Sequence, residues 1–386
     1  MLLIFNERKP AQHTCLLLIM NKTSSASFIV SLLAISISLA CHGESNHKYK
    51  VRVITDQLER PWSLQVMPNT DFLVTERGGK LFRIEHDSGA KEYIAGLPEV
   101  FYAGQGGLFD IVLHPQYDSN KLVYFSYAGG DYSSNATYLA KARLKNNSLI
   151  GVENLFIGTV RQGTANHYGG KLIFLPDNTL LLTVGDGFDY RIDAQNPSSL
   201  LGKTIRLRDD GSIPADNPKS KEGENSSVWT LGHRNPQGLA YDTKRKVIYL
   251  HEHGPRGGDE INILKKGANY GWPITTFGID YNGARISPYT ERPGIEPPLH
   301  YWTPSIAPSG LAVYEGEAFP DWTGHLLVGA LVDREIRRIN PETGDESYLL
   351  RELGKRVRDI RIGGKGQIYV LTDEGQLLEI LPKDSG

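Results

Sequence analysis

Cysteine is nearly absent: the 386 residues hold two, Cys15 and Cys41. Both fall near the N-terminus, so the body of the chain has no disulfide, no thiolate zinc cluster and no cysteine nucleophile. Net charge is missing too. Lys and Arg total 42 against 44 Asp and Glu, a formal balance of −2, which argues against nucleic acid or an anionic membrane as partner. No long stretch repeats with helical periodicity. No GxGxxG turn joins a strand to a helix, so a nicotinamide Rossmann site is unsupported. A Walker loop, an HExxH pair and EF-hand ligand spacing are absent as well.

The apolar run Phe28 to Ala40 is too short to span a bilayer, which needs ~20 apolar residues, but it suits the core of an export signal. Lys22 precedes it, and Met20-Asn21-Lys22 reads like a natural start in place of Met1. Small residues before Cys41 suit cleavage after Ala40 and also resemble a lipoprotein processing site, although Ser38 stands where leucine is usual. A plain cleaved leader and a lipidated Cys41 are both open. Either way residues 1–41 form an extension and signal peptide. The protein is expected in the periplasm, in the second case anchored at the outer membrane.

What is present is glycine (41) and tyrosine (19), with 22% charged and 40% hydrophobic residues, a balance that fits a globular all-β domain rich in tight turns. Short apolar runs recur in pairs across turns. Trp62 to Val66 leads to Phe72–Thr75, Gly107 to Val112 to Leu122–Phe125, and Gly170 to Phe174 to Leu180–Thr183. Gly238 to Tyr241 leads to Val247–Leu250, Gly310 to Tyr314 to Leu326–Val328, and Val357 to Ile362 to Gln367–Leu371. Six copies at spacings of about 45 to 70 residues predict one domain over 50–386, a six-bladed β-propeller of four-stranded antiparallel blades. A parallel β-helix would need shorter, more regular repeats. Lys80–Ile84, Glu260–Leu264, Glu335–Ile339 and Gln376–Ile380 are expected as outer strands.

In a propeller, residues at one phase of every repeat converge on one mouth. The lead-ins to the copies carry Gln105, His167, Arg234-Asn235, Ser305, and Arg356 with Arg358. Each alone has an ordinary explanation: a tight turn, a packed histidine, a surface ion pair. Together they gather arginines that repel one another unless an anionic ligand with several carboxylates compensates them. A neutral histidine among them can accept a proton. A second cluster, Glu252 to Glu260, offers carbonyl and carboxylate oxygens of the kind Ca²⁺ prefers; its ordinary reading is a polar hairpin turn.

Five segments in order, Gly104–Leu108, Asn166–Gly170, Gly232–Gly238, His253–Asn262 and Asn269–Pro273, resemble the quinoprotein aldose and glucose dehydrogenases, the glucose/sorbosone dehydrogenase family. The resemblance runs from about Leu58 to the C-terminus. It implies an oxidoreductase that uses pyrroloquinoline quinone and Ca²⁺ to convert an aldose to its lactone by hydride transfer to the quinone. On that resemblance His167 is the general base and Arg234 stabilises charge on the quinone oxygen. Gln105, Asn235, Tyr281, Ser305, Ala330, Arg356 and Arg358 contact or border the cofactor. Gly254 and Pro255 ligate the catalytic calcium through their carbonyls, and Glu260 and Tyr270 belong to a second calcium site. The partners implied are a small aldose and an electron acceptor, either a quinone or a small redox protein.

Two positions depart from the family. Val332 follows Gly329-Ala330-Leu331 where a lysine is usual, and Asn166 replaces the acid that precedes the histidine in glucose-oxidising members. Both point to the broader aldose branch. The competing readings are a calcium-dependent propeller lactonase, whose site would centre on axial carboxylates, and a non-enzymatic binding propeller, which needs no base on the axis.

Overall fold

In the computed structural model of the chain the described residues are 49–220 and 222–383. The expected leader, its cleavage point after Ala40 and the lipidation of Cys41 lie outside them. The described residues form six four-stranded antiparallel sheets, built from strands β1 to β24. β1 (Tyr49–Thr55) stands apart from the simple repeat. The inner strands are β2 (Pro61–Val66), β6 (Leu108–Leu113), β10 (Gly169–Phe174), β14 (Pro236–Asp242), β18 (Pro308–Val313) and β22 (Val357–Ile362). Each meets the inner strand of the next blade, and β22 returns to β2, which makes the ring. The six copies expected from the sequence are the six blades.

The outer strands need correcting. Lys80–Ile84, Glu260–Leu264, Glu335–Ile339 and Gln376–Ile380 fall on the third strand of their blades, and a further strand lies outside each. In the last blade that fourth strand is β1, paired antiparallel with β24 (Leu377–Pro382) from Tyr49↔Pro382 to Thr55↔Leu377. The N-terminal end of the propeller thus closes its C-terminal blade. The apolar clusters straddle neighbouring blades, with Leu73, Leu81 and Ile94 of the first packing on Ile111, Val123 and Phe125 of the second.

Two six-fold features prepare the site. Every inner pair slips register near the start of its inner strand, between Pro61 and Ser63, Leu108 and Ile111, Gly169 and Leu172, Pro236 and Gly238, Pro308 and Leu311, and Val357 and Asp359. Such bulges bend a strand and re-aim its side chains, and these surround one mouth. The third residue of each inner strand is small or charged: Ser63, Asp110, Lys171, Gly238, Gly310 and Asp359. Lys171 Nζ lies 3.0 Å from Asp359 and 4.0 Å from Asp110, while Arg361 Nη2 lies 2.9 Å from Asp110 and 3.3 Å from Asp359. Two carboxylates and two cations close a neutral plug, the arrangement that buried charge requires. Gly238 is obligatory beside it, because a Cβ there would stand 2.2 Å from the His251 ring.

Candidate active site

Two adjoining hollows open beside the bulges. The larger, about 290 Å³, is lined by Gln105, Asn235, Arg356 and Arg358, together with Trp62, Arg77 and others. Trp62, Phe109 and Tyr168 make an aromatic floor, with ring centroids 5.4 Å apart at each step. Lys171 Nζ of the plug sits 4.5 Å from the Trp62 ring centroid. Three guanidiniums face this cleft. Asp373 pairs with two of them, 2.9 Å from Arg356 Nε and 2.7 Å from Arg358 Nε. Burial alone would raise the Asp373 carboxyl, but the two arginines win and hold it below the usual carboxylate range. Arg77 has no carboxylate partner among the described residues, and its buried Nε lacks a hydrogen bond. Burial, and then its neighbours Arg358 and Arg60, push the Arg77 pKa down. The cleft therefore carries surplus positive charge over an aromatic floor whose rings tilt by 40° to 50° from one to the next.

The smaller hollow, about 150 Å³, is lined by His167, Arg234 and Tyr281, with Asp186, Asp189, Arg191, Trp272 and Asp280 among its walls. Chain neighbours divide between the two hollows: Tyr168 and Asn235 line the larger, His167 and Arg234 the smaller. His167 Nδ1 lies 2.7 Å from Asp186 Oδ1, so in the neutral ring Nδ1 donates to Asp186 and Nε2 is the basic nitrogen. Asp186 is itself locked, accepting from Phe188 N at 2.8 Å and Trp272 Nε1 at 2.7 Å. Burial lowers the His167 pKa despite Asp186, with Arg234 and Arg161 adding to the effect. For Asp186 burial pulls upward, but His167 and Arg234 prevail and keep the carboxyl ionised. Arg234 donates Nη1 to the carbonyls of His253 (3.1 Å) and Gly254 (2.8 Å), and Nη2 to the Tyr281 hydroxyl (3.4 Å).

Most of the lead-in residues lie in the linings of the two hollows. Gln105 lines the cleft and also accepts the His167 N–H at 2.9 Å through Oε1. Tyr281 borders the His167 hollow. Ser305 stays outside both linings; its hydroxyl accepts Gly257 N at 3.0 Å and braces the Gly254 to Gly258 turn. Ala330 is fully buried in its sheet, and its neighbour Leu331 lines the cleft instead. Arg77, Asp186, His253, Leu331 and Asp373 lie outside the lead-in segments. All follow the second strand of a blade: β3 (Phe72–Glu76), β11 (Leu180–Val184), β15 (Val247–Glu252), β19 (Leu326–Ala330) and β23 (Ile368–Thr372). An antiparallel second strand returns to the mouth from which the first departs, so the residues after it carry the same phase signal as the lead-ins.

A model of the glucose/sorbosone dehydrogenase family matches residues 58–379. The chain belongs to that family. Its members are sugar-oxidising enzymes, and so is this protein. It is 38% identical over 370 residues to the aldose sugar dehydrogenase YliI of Escherichia coli, covering 92% of this chain and 98% of that one. It is 28% identical over 415 residues to quinoprotein glucose dehydrogenase B of Acinetobacter calcoaceticus, covering 85% and 86%. The fold superposes on the apo-form of the Escherichia coli aldose sugar dehydrogenase with a TM-score of 0.83 at 38% identity, over 87% of this chain and 100% of the other. The PQQ-bound aldose sugar dehydrogenase of Streptomyces coelicolor matches at a TM-score of 0.72 and 28% identity, over 87% and 99%.

Among the described residues no three His, Cys, Asp or Glu side chains gather as a metal cage. The oxygens on offer to a family calcium are backbone carbonyls and single carboxylates. The Gly254 carbonyl accepts from Arg234, and the Pro255 carbonyl lies 3.4 Å from Ser305 Oγ. Glu260 is half-buried near Glu252 and Tyr270 in a narrow cavity. Burial and then Glu252 push its carboxyl up to about 8. An oxygen-rich site with uncompensated anionic character fits a hard divalent cation.

Proposed function

We propose that the protein oxidises the C1 hydroxyl of an aldose to the lactone, with pyrroloquinoline quinone in the cationic cleft and Ca²⁺ at the Gly254-Pro255 carbonyls. The observation that carries this reading is the pairing of two unlike hollows on one mouth, one cationic with an aromatic floor, the other polar and centred on a neutral histidine. When bound, the quinone supplies a two-electron acceptor. Arg77, Arg356 and Arg358 would supply the positive charge that holds its carboxylates, and Trp62, Phe109 and Tyr168 would give it an apolar aromatic wall. Arg77 adds a guanidinium in a cleft whose usual lysine is Val332, 57% exposed. His167 Nε2 takes the C1 hydroxyl proton while Asp186 holds the ring and stabilises the imidazolium. Arg234 is placed to offset developing negative charge. Glu260 and Tyr270 would hold a second, structural calcium.

The lactonase reading loses its ligands, because the axial carboxylates Asp110 and Asp359 are consumed by Lys171 and Arg361. Export belongs to the proposed reading: a protein shortened at Ala40 in a periplasmic fraction supports it, and an unprocessed cytoplasmic chain sinks it. The functional test is dye-linked aldose oxidation by the apo-protein, with and without pyrroloquinoline quinone and Ca²⁺. Activity should need both and fall by about 10³-fold in His167→Ala. Absence of activity with every aldose, and of binding in an absorbance titration, overturns it. Removal of Ca²⁺ by chelation should lower the melting temperature of wild type and much less that of Glu260→Gln; equal loss in both removes Glu260 from the metal site.

A further inference from the structure

Behind the two hollows lies a charged residue that the chemistry above does not use. Arg161 is 1% exposed, and no carboxylate pairs with it among the described residues. Its Nη2 has no hydrogen-bond partner. Its Nε donates to Asn135 Oδ1 at 3.1 Å, the oxygen that also accepts the Tyr168 hydroxyl at 2.8 Å. The guanidinium carbon stands 3.8 Å from the centroid of the Tyr168 ring, the floor of the cleft. Its Nη1 donates to the His167 carbonyl at 3.3 Å. Gly187, which begins the turn carrying Phe188, packs so closely that a Cβ would meet the Arg161 stem at 3.1 Å.

His167 needs such support. Its φ is +52, a left-handed conformation unfavourable for a residue with a Cβ and stable only when its surroundings over-determine it. Gln105 secures the N–H, and Gly187 N joins Arg161 on the carbonyl at 3.3 Å. A folding role alone would be met by a neutral side chain, since an unpaired buried cation is costly to retain.

We propose that Arg161 is a positioning residue for the base. It holds the left-handed backbone of His167 and backs the Tyr168 ring, so that the base and the cofactor floor keep one spacing. This rests on His167 being the base. The charged and titratable groups nearest His167 are Asp186, Arg234, Arg161 and His253, with Asp189, Arg191, Asp280 and Tyr281 in the walls of the same hollow. Removing one cation from this set favours the imidazolium, so the acid limb of the rate profile should move to higher pH.

The test compares wild type, Arg161→Lys, Arg161→Gln and His167→Ala as reconstituted holoenzymes, each checked for a cooperative melt. Arg161→Gln should lose about 100-fold in kcat with KM for sugar nearly unchanged, and its acid limb should shift upward. Arg161→Lys keeps the charge without the fork. It should retain the wild-type acid limb and recover part of kcat. Folded Arg161 variants with wild-type kcat and pH profile, beside an inactive His167→Ala, overturn the positioning role and leave the base intact. An active His167→Ala overturns both readings. Failure of both Arg161 variants to fold assigns the residue to stability alone, and the proposal falls.

Discussion

His167 shows how one residue is made into a base. Its left-handed backbone carries strain, its ring is buried, and each constraint has a named partner: Gln105 on the N–H, Arg161 and Gly187 on the carbonyl, Asp186 on Nδ1. Asp186 selects the tautomer that leaves Nε2 free to accept. Asp186→Asn can present its amide nitrogen to Nδ1 and stabilise the wrong tautomer. Steady-state kinetics should show kcat down by about 10³-fold or more, with KM within a few-fold of wild type and an unchanged melting temperature. A kcat near that of wild type would mean that the pair serves packing and not proton transfer.

At the scale of the element, the site depends on where strands begin and end. First strands leave the mouth and second strands return to it, so each blade supplies two short segments to one rim. The ring holds these segments only while it is closed. β1 achieves that closure by pairing with β24 and burying Tyr49 and Ile54. Its Tyr49 hydroxyl donates to Glu352 at 3.0 Å and accepts the Leu350 N–H at 2.9 Å, which ties the strand to the preceding blade as well. Deleting residues 49–55 would leave β24 as an unpaired edge, the kind of surface that templates aggregation. The truncated protein should melt at least about 10 °C lower and form oligomers by light scattering. An unchanged melt would show that the ring closes without its clasp.

For the molecule as a whole, buried titratable groups set the acid limit. Burial lowers His251 and His253 to about 3 from the ordinary 6.5. The unfolded chain therefore binds more protons than the native one between these values, and native stability falls as pH drops through that window. In the metal-free protein Glu260 works in the opposite sense, because its native value of about 8 lies above the ordinary 4.5. These three groups together contribute a loss of about 1.4 kcal/mol per pH unit from 6.5 to 4.5, and about twice that from 4.5 to 3, where Glu260 is protonated in both states. Urea unfolding of the apo-protein across this range measures it. Stability of the metal-free protein that rises as pH falls from 6.5 to 4.5 would show that both histidines titrate normally in the native state.

Blade count, blade phase and much of the candidate site were determined by the sequence itself. Apolar alternation and turn residues act over a few positions, and the repeat then forces every lead-in to one rim. Gln105, Asn235, Arg356 and Arg358 could thus be placed together without a structure. Four further features were decided only by the tertiary structure. Asp186 meets His167 because β11 returns beside the start of β10. The clasp of β1 on β24 joins residues more than 300 positions apart. The neutral plug unites Asp110, Lys171, Asp359 and Arg361 from three blades. Arg161 reaches the His167 carbonyl from a segment with no periodic signal of its own. Each is a contact between strand ends or across the axis, where distance along the chain says nothing about distance in space.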